Sequence, residues 1–364
     1  KAAELAALIG SQSALSNRNI IINGAMQVAQ RGDQSSLTSG YTGVDRFTFT
    51  RTGEAAVTGK QAGASDSPQS NGFGASLEID ITTADSSLAA GDFALVRQII
   101  EAQNLQGLKY GTSSAENVTL SFWVKSPKTG THIVEMYHYD GNVFNGQAYT
   151  VNSANTWEHK TLSFVGYQTT ATANDNTQGM LVQWWLSAGS TYSGGTLASN
   201  TWHTTTANRA VGQVNVTDST SNNFYLTGVQ LELGEQATPF EHRSFADELA
   251  RCQRYYYYSG FGFNNPGGTD SGKTDYEGVF MATHIGSNRH MFSTNFPVHL
   301  RAIPTLTFYS PNDGASANGE NYAGAGNISI SAAYSRARHG VNGYAQTSDG
   351  NDGFTAYVEA SAEL

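Results

Sequence analysis

NNFYLTGVQLELG, residues Asn222–Gly234, alternates along most of its length. Tyr225, Thr227, Val229, Leu231 and Leu233 fall on one side of an extended chain, and Phe224, Leu226, Gln230 and Glu232 on the other. A period of two carried by branched and aromatic residues is a strand signal, and apolar weight on both sides suits a well-covered strand. The habit recurs upstream: Val118, Leu120, Phe122 and Val124 in NVTLSFWVKS, Phe47 and Phe49 in VDRFTFTRTG, and Leu77, Ile79 and Ile81 in GASLEIDIT. THIVEMYHYDG, HKTLSFVGYQ and MLVQWWLSAG repeat it. Ile20, Ile21 and Ile22, stopped by Asn23 and Gly24, read as a first strand and turn. DFALVRQIIEAQNLQGL is mixed, with a strand opening at Phe93 and a short helix over Arg97 to Leu105.

Roughly eight or more strands between about residues 18 and 240, with no regular helix among them, predict two packed antiparallel sheets, and a jelly-roll β-sandwich is the natural solution. Beyond Pro239 the period changes. Ser244 can cap the helix-like run SFADELARC with Asp247 as its N3 acid, and Tyr255 to Tyr258 then send two rings to each side of an extended chain. Strand patterns resume at GVFMATHIG, HMFSTNFPVHLRAIPTLTFYS, NISISAAYSRARHG and GFTAYVEASAEL. The expected chain is all-β. A short helical connector or trimerisation segment (1–17) precedes the jelly roll (18–243), and a second, smaller β-sandwich domain (244–364) follows a short junction helix.

Composition narrows the function classes. Only 14% of the 364 residues are charged, 39 are glycine, and the formal net charge is -10, which opposes a nucleic-acid surface. One cysteine, Cys252, excludes an intrachain disulfide or a multi-cysteine metal site. No apolar run is long enough to cross a bilayer and the first residues lack the pattern of a secretory signal, so a chain soluble in the cytoplasm where it is made, without membrane insertion, is expected.

The junction TGVQLELGEQATPFEHRSFADELARCQRYYYY (Thr227–Tyr258) resembles that of tail fibre and tail-associated proteins of tailed bacteriophages. NRNIIINGAMQVAQRG, YTGVDRFTF, FPVHLRAIPTLTF and GFTAYVEASAEL resemble the same family in the same order, so the likeness runs from about Asn17 to Leu364. It implies a tail-fibre or receptor-binding protein of the virion tail, released by lysis, with a sandwich like those of carbohydrate-binding modules. The implied partners are two further copies in a homotrimer, other phage tail proteins, and host cell-surface polysaccharide or lipopolysaccharide. The resemblance assigns no sugar-contacting residue.

Sugar binding needs flat rings for C–H faces and amide, carboxylate or cationic groups for hydroxyls and acids. Trp184 and Trp185 are adjacent, so one is core and the other, Trp185, is a candidate platform. Tyr137 and Tyr139 share a face, followed by a polar turn with Asp140 and Asn142. Tyr192, Trp202 and His203 belong to or adjoin the long loop YSGGTLASNTWHTTTANRAVGQVN, where large rings are hard to assign to strand packing. Tyr334, Arg336 and Arg338 alternate in SAAYSRARHG and suit an anionic polysaccharide. No catalytic motif occurs, so the expectation is a non-enzyme that requires no cofactor; a structural calcium held by carbonyls and an acid stays open. Two rival readings are a structural spacer or collar/capsid-fibre component of the virion without sugar binding, and a depolymerising tailspike glycosidase or lyase.

Overall fold

The computed structural model describes residues 17–261, 266–267, 278–286, 289–311, 313–321, 327–329, 331–346 and 354–364. The expected connector lies, but for Asn17, outside them. The described residues divide into two compact units. One holds Ser35–Thr42 and Phe47–Arg243 with the residues before Val28; the other holds Val28–Gln34, Gly43–Arg46 and Ser244–Leu364. Periodicity gave no hint that two short N-terminal pieces leave the first unit.

The first unit is a pair of six-stranded antiparallel sheets. One runs β1 (Gln34–Leu37), β4 (Ala56–Ala62), β5 (Ser76–Thr83), β12 (Asn223–Leu233), β7 (Val118–Lys125), β10 (Glu158–Phe164). The other runs β2 (Ser39–Tyr41), β3 (Phe47–Thr52), β6 (Phe93–Glu101), β11 (Gln178–Ala188), β8 (Gly130–His138), β9 (Val143–Val151). The chain passes repeatedly from one sheet to the other, as a jelly roll requires. Phe122 of β7 meets Trp184 of β11 edge-on at 5.6 Å between the layers, and Phe47, Phe49, Val96, Val182 and Leu226 are fully buried around them.

The stretch Asn222–Gly234 forms the expected strand with a different parity. Phe224, Leu226, Val229 and Leu231 all point into the core at 0% exposure, so the faces exchange between Leu226 and Val229. The cause is a bulge: Thr227 pairs with Trp123 and Gln230 with Ser121, leaving one extra residue on β12. Gly228 takes φ +59 there, and a Cβ on it would lie 2.7 Å from the Phe73 ring and 2.9 Å from Trp123. Glycine is the residue that admits both the left-handed backbone and the close approach.

Two further segments depart from periodicity. Ile20 to Ile22 form no strand: Ile20 N makes a single backbone bond, to Leu231 O (2.9 Å), and side chains take the rest, Asn19 Nδ2 donating to Val229 O (3.0 Å), Asn19 Oδ1 accepting from Ile21 N (3.0 Å) and Leu231 N (3.1 Å), and the Gln98 amide holding Ile22 N and O. FALVRQIIE is strand β6 throughout, and a 3-10 turn, Ala102–Leu108, replaces the expected helix. Both faces of β6 are covered, so its near-continuous apolar run imitates helix periodicity.

In the second unit, Ser244 caps the helix Phe245–Gln253, its Oγ accepting from Asp247 N at 3.2 Å. Tyr256–Tyr258 pairs with the end of the last strand, Phe354–Ser361, as does Thr305–Tyr309; Phe280–Gly286 and Asn318–Asn321 pair with its beginning. Splitting its neighbours in this way lets the sheet fold over a shared core of Phe280, Phe292, Phe308 and Phe354. Tyr256 and Tyr258 pack with Tyr357, while Tyr257 meets Phe296, so the tyrosine run is covered on both sides.

Its N-terminal pieces bring charge into the interior. Arg31 stacks at 3.5 Å over Tyr256 and Arg46 at 3.5 Å over Tyr255, and both guanidinium groups donate to the Glu363 carboxylate. Asp45 accepts from Gln30 N and Nε2, and Gln30 Nε2 also reaches Tyr256 O. The segments VAQRG, VDRF, YYYY and AEL, each within a piece that carries the family resemblance, thus assemble one buried network.

Candidate functional site

Strand parity on the second sheet of the sandwich places three rows of side chains on its outer face. Across β3, β6, β11, β8 and β9 the first row reads Thr48, Arg97, Gln183, Glu135, Gly146. One step along lie Thr50, Leu95 and Trp185, and on the other side Leu181, Tyr137 and Phe144. The loop after β11 returns over this face, bringing Tyr192 and Arg209. The result is a cleft of about 240 Å³ lined by Thr50, Phe93, Leu95, Arg97, Tyr137, Phe144, Gln183, Trp185, Tyr192 and Arg209. That is just below the usual range for small-ligand pockets, roughly 300–1,000 Å³.

The walls are aromatic. Phe93 meets Tyr192 edge-on at 5.3 Å and Trp185 at 6.3 Å; Tyr192 lies 5.4 Å from Trp185, and Tyr137 stacks on Phe144 at 4.9 Å. Arg209 organises the floor. Its Nε donates to Glu135 Oε1 at 2.9 Å and its Nη2 to Oε2 at 2.7 Å, while its guanidinium covers the Phe144 ring at 3.8 Å. Gln183 Nε2 supplies a third donor to Glu135 at 2.9 Å. Burial pushes the Glu135 carboxyl up from its ordinary value, against the opposing pull of Arg209 and Gln183. The glycine at 146 matters here: a Cβ would stand 3.0 Å from Arg209 O, so its absence lets the loop settle on the sheet.

Arg97 is differently placed. Its Nε donates to Thr48 Oγ1 at 3.3 Å, and no carboxylate pairs with it among the described residues. Burial lowers its pKa; Tyr41 opposes this, and the field of Arg209 adds a smaller lowering.

Of the residues singled out in the sequence, Tyr137, Tyr192 and Trp185 line this cleft. Trp185 is 1% exposed, so it is the floor and not an open platform; Trp184 is core. Trp202 lies elsewhere. Its Nε1 donates to Val165 O at 2.7 Å, and its ring packs against Tyr110, His138 and Tyr167, closing that end of the sandwich. His203 bridges backbone to backbone with Phe144, its ring 6.2 Å from the phenyl group. Tyr139 is exposed in the turn after β8, 6.0 Å from Tyr137; Asp140 accepts from Ala173 N and Asn142 from the Tyr137 hydroxyl, so both are occupied with holding turns. In the second unit Tyr334 and Arg336 fall in the strand Ser331–Ala337, while Arg338 follows its end. Arg336 and Arg338 donate to Pro304 O (3.2 Å) and Leu300 O (2.7 Å), tethering one loop; the Tyr334 side chain lies outside the described residues.

Phe93, Phe144, Arg97, Gln183 and Arg209 are site residues that the sequence reading missed. Parity was the available signal for the first four, since each sits an even number of steps from a candidate or from its cross-strand partner; Arg209 lies in a loop whose path no pattern specifies.

A second cleft, of about 400 Å³, lies on the other sheet of this unit, lined by Asn71, Phe73, Ser121, Trp123, His159, Gly228, Thr238, Pro239, Phe240 and His242. Trp123 is 5.2 Å from His159, and Phe73, Phe240 and His242 pack together within 5.4 Å. It holds no lysine, arginine or carboxylate. Among the described residues no group of three or more His, Cys, Asp or Glu side chains converges to hold a metal, and no helix is long and apolar enough to cross a membrane.

No protein-family model matches the chain, and no curated protein matches it. Solved structures do. The enzymatically active domain of tailspike protein 4 of bacteriophage CBA120 aligns at 14% identity over 60% of this chain and 22% of that one, TM-score 0.33. A family 11 carbohydrate-binding module from Clostridium thermocellum, in complex with a mixed-linked tetrasaccharide, aligns at 12% identity over 59% of this chain and 100% of its own, TM-score 0.28. The CBM22-1 xylan-binding domain of Paenibacillus barcinonensis Xyn10C aligns at 15% identity over 58% and 100%, TM-score 0.24. The sandwich itself is established by the sheet order and burial above.

Proposed function

We propose that this chain is a non-catalytic receptor-binding protein of a bacteriophage tail that attaches to host cell-surface glycans through the cleft on the β6–β11–β8–β9 face. The observation that carries sugar recognition is the convergence there of Phe93, Tyr137, Phe144 and Tyr192 with Arg97 and Gln183. Rings cover the C–H faces of a pyranose, and the donors meet its oxygens. The bacteriophage assignment is supported by the resemblance of the junction and flanking segments.

Recognition without cleavage fits the carboxylates. A glycosidase of the common type needs two across the scissile bond. No carboxylate is among the residues lining the cleft, and Glu135 beneath it is held by Arg209 and Gln183. A homotrimer would multiply weak single-site contacts. An exposed apolar strip in the second unit supports self-association: Met281 and Ile285 point outward from one strand, and Met291 stands opposite Thr283 on the next, each at least 50% exposed.

The test is binding of the purified chain to intact host cells and to their extracted polysaccharide and lipopolysaccharide, with molar mass by light scattering. Saturable binding that Tyr192→Ala abolishes supports the proposal. Binding only to virion components would overturn it in favour of a structural part, and release of new reducing or unsaturated ends in favour of a tailspike enzyme.

A further inference from the structure

We infer that the cleft selects an acidic saccharide, one bearing a carboxylate or sulfate, and that Arg97 is the residue that reads the charge. The inference rests on the reading of this cleft as the sugar site. Two guanidinium groups border the cleft, and they are not equivalent. Arg209 spends its charge on Glu135 in a two-point pair and its face on Phe144. Arg97 has neutral neighbours on both sides in the sheet, Thr48 on β3 and Gln183 on β11, and among the described residues its one side-chain donor bond is the 3.3 Å contact with Thr48.

A half-buried cation without a counter-charge is unfavourable. With Arg209 neutralised by Glu135, the cleft carries one net positive charge against aromatic walls. A ligand carboxylate or sulfate supplies the missing partner and gains a charge-assisted, planar two-point contact that a hydroxyl cannot match. Burial of the guanidinium, which already disfavours its charged form, strengthens that preference.

The experiment uses a panel of acidic and neutral bacterial polysaccharides, each acidic hit compared with its own carboxyl-reduced or desulfated form, which keeps the backbone and removes the charge. The full-length chain and its Arg97→Gln, Arg97→Lys and Tyr192→Ala variants are titrated, with tryptophan emission and melting temperature checking the fold. The expected result is a loss of about tenfold or more on removing the ligand charge, and a similar loss for Arg97→Gln on the acidic polymer alone. Arg97→Lys should keep part of the affinity, and rising salt should weaken wild-type binding. Equal affinity for acidic and neutralised forms, or an Arg97→Gln loss of the same size on both, overturns the inference while leaving a sugar site intact. Binding of no polysaccharide by a folded wild-type chain sinks both the inference and the reading on which it rests.

Discussion

Removing the Arg209 guanidinium tests the architecture of the cleft floor most directly. Arg209→Ala takes two hydrogen bonds, of 2.9 and 2.7 Å, from a Glu135 carboxylate that is 0% exposed, leaving Gln183 as its donor. Breaking a buried ion pair on one side costs about 3–5 kcal/mol. The carboxyl has an escape, however, in taking up a proton. With an ordinary value of 4.5 and about 1.36 kcal/mol per pH unit, that escape costs about 3.4 kcal/mol at pH 7 and about 0.7 kcal/mol at pH 5.

In the variant Glu135 has its pKa raised in the folded state, so stability is fully retained below the unfolded value and lost as pH rises toward the folded one. Adding about 0.5–1 kcal/mol for the lost contact over Phe144, which does not titrate, and because burial already holds the wild-type carboxyl above its ordinary value, the expected destabilisation is at most about 4 kcal/mol at pH 7 and about 1–2 kcal/mol at pH 5. Urea unfolding followed by tryptophan emission reads this unit selectively, because all 5 tryptophans lie between Trp123 and Trp202. A gap that stays constant between the two pH values, or a loss below about 1 kcal/mol at pH 7, would refute the buried-pair argument.

Other expectations follow from single contacts. Phe144→Ala and Tyr192→Ala each remove a cleft wall and should cost roughly tenfold or more in glycan affinity by calorimetry, with secondary structure unchanged. Gly228→Ala forces a Cβ to within 2.7 Å of Phe73 at φ +59 and should destabilise the first unit by about 1–3 kcal/mol in the same urea assay. Trp202→Phe loses the bond to Val165 O and should cost about 1 kcal/mol while leaving glycan affinity unaltered, as a titration of the variant would show. Glu363→Ala strips the shared acceptor from Arg31 and Arg46; near-ultraviolet circular dichroism of the tyrosines should report a loss of about 3–5 kcal/mol in the second unit.

The sequence by itself determined the local β habit, since branched and aromatic residues at a period of two commit each segment to one buried face whatever its neighbours are. It also determined that Trp184 and Trp185 must part, because successive side chains on a strand cannot share a face. Tertiary structure decided the rest. The bulge at Gly228 reverses the parity of half of β12, a one-residue event that alternation cannot register. The Asn19 and Gln98 side chains take all but one of the backbone bonds that a strand through the three isoleucines would have made. Trp202 became packing and Arg209 a cleft residue because the path of one loop brings the first to Val165 O and the second to Glu135. The cleft is therefore non-local: Arg97, Glu135, Gln183 and Arg209 are far apart along the chain, and strand order, which no local pattern encodes, sets the few ångströms between them.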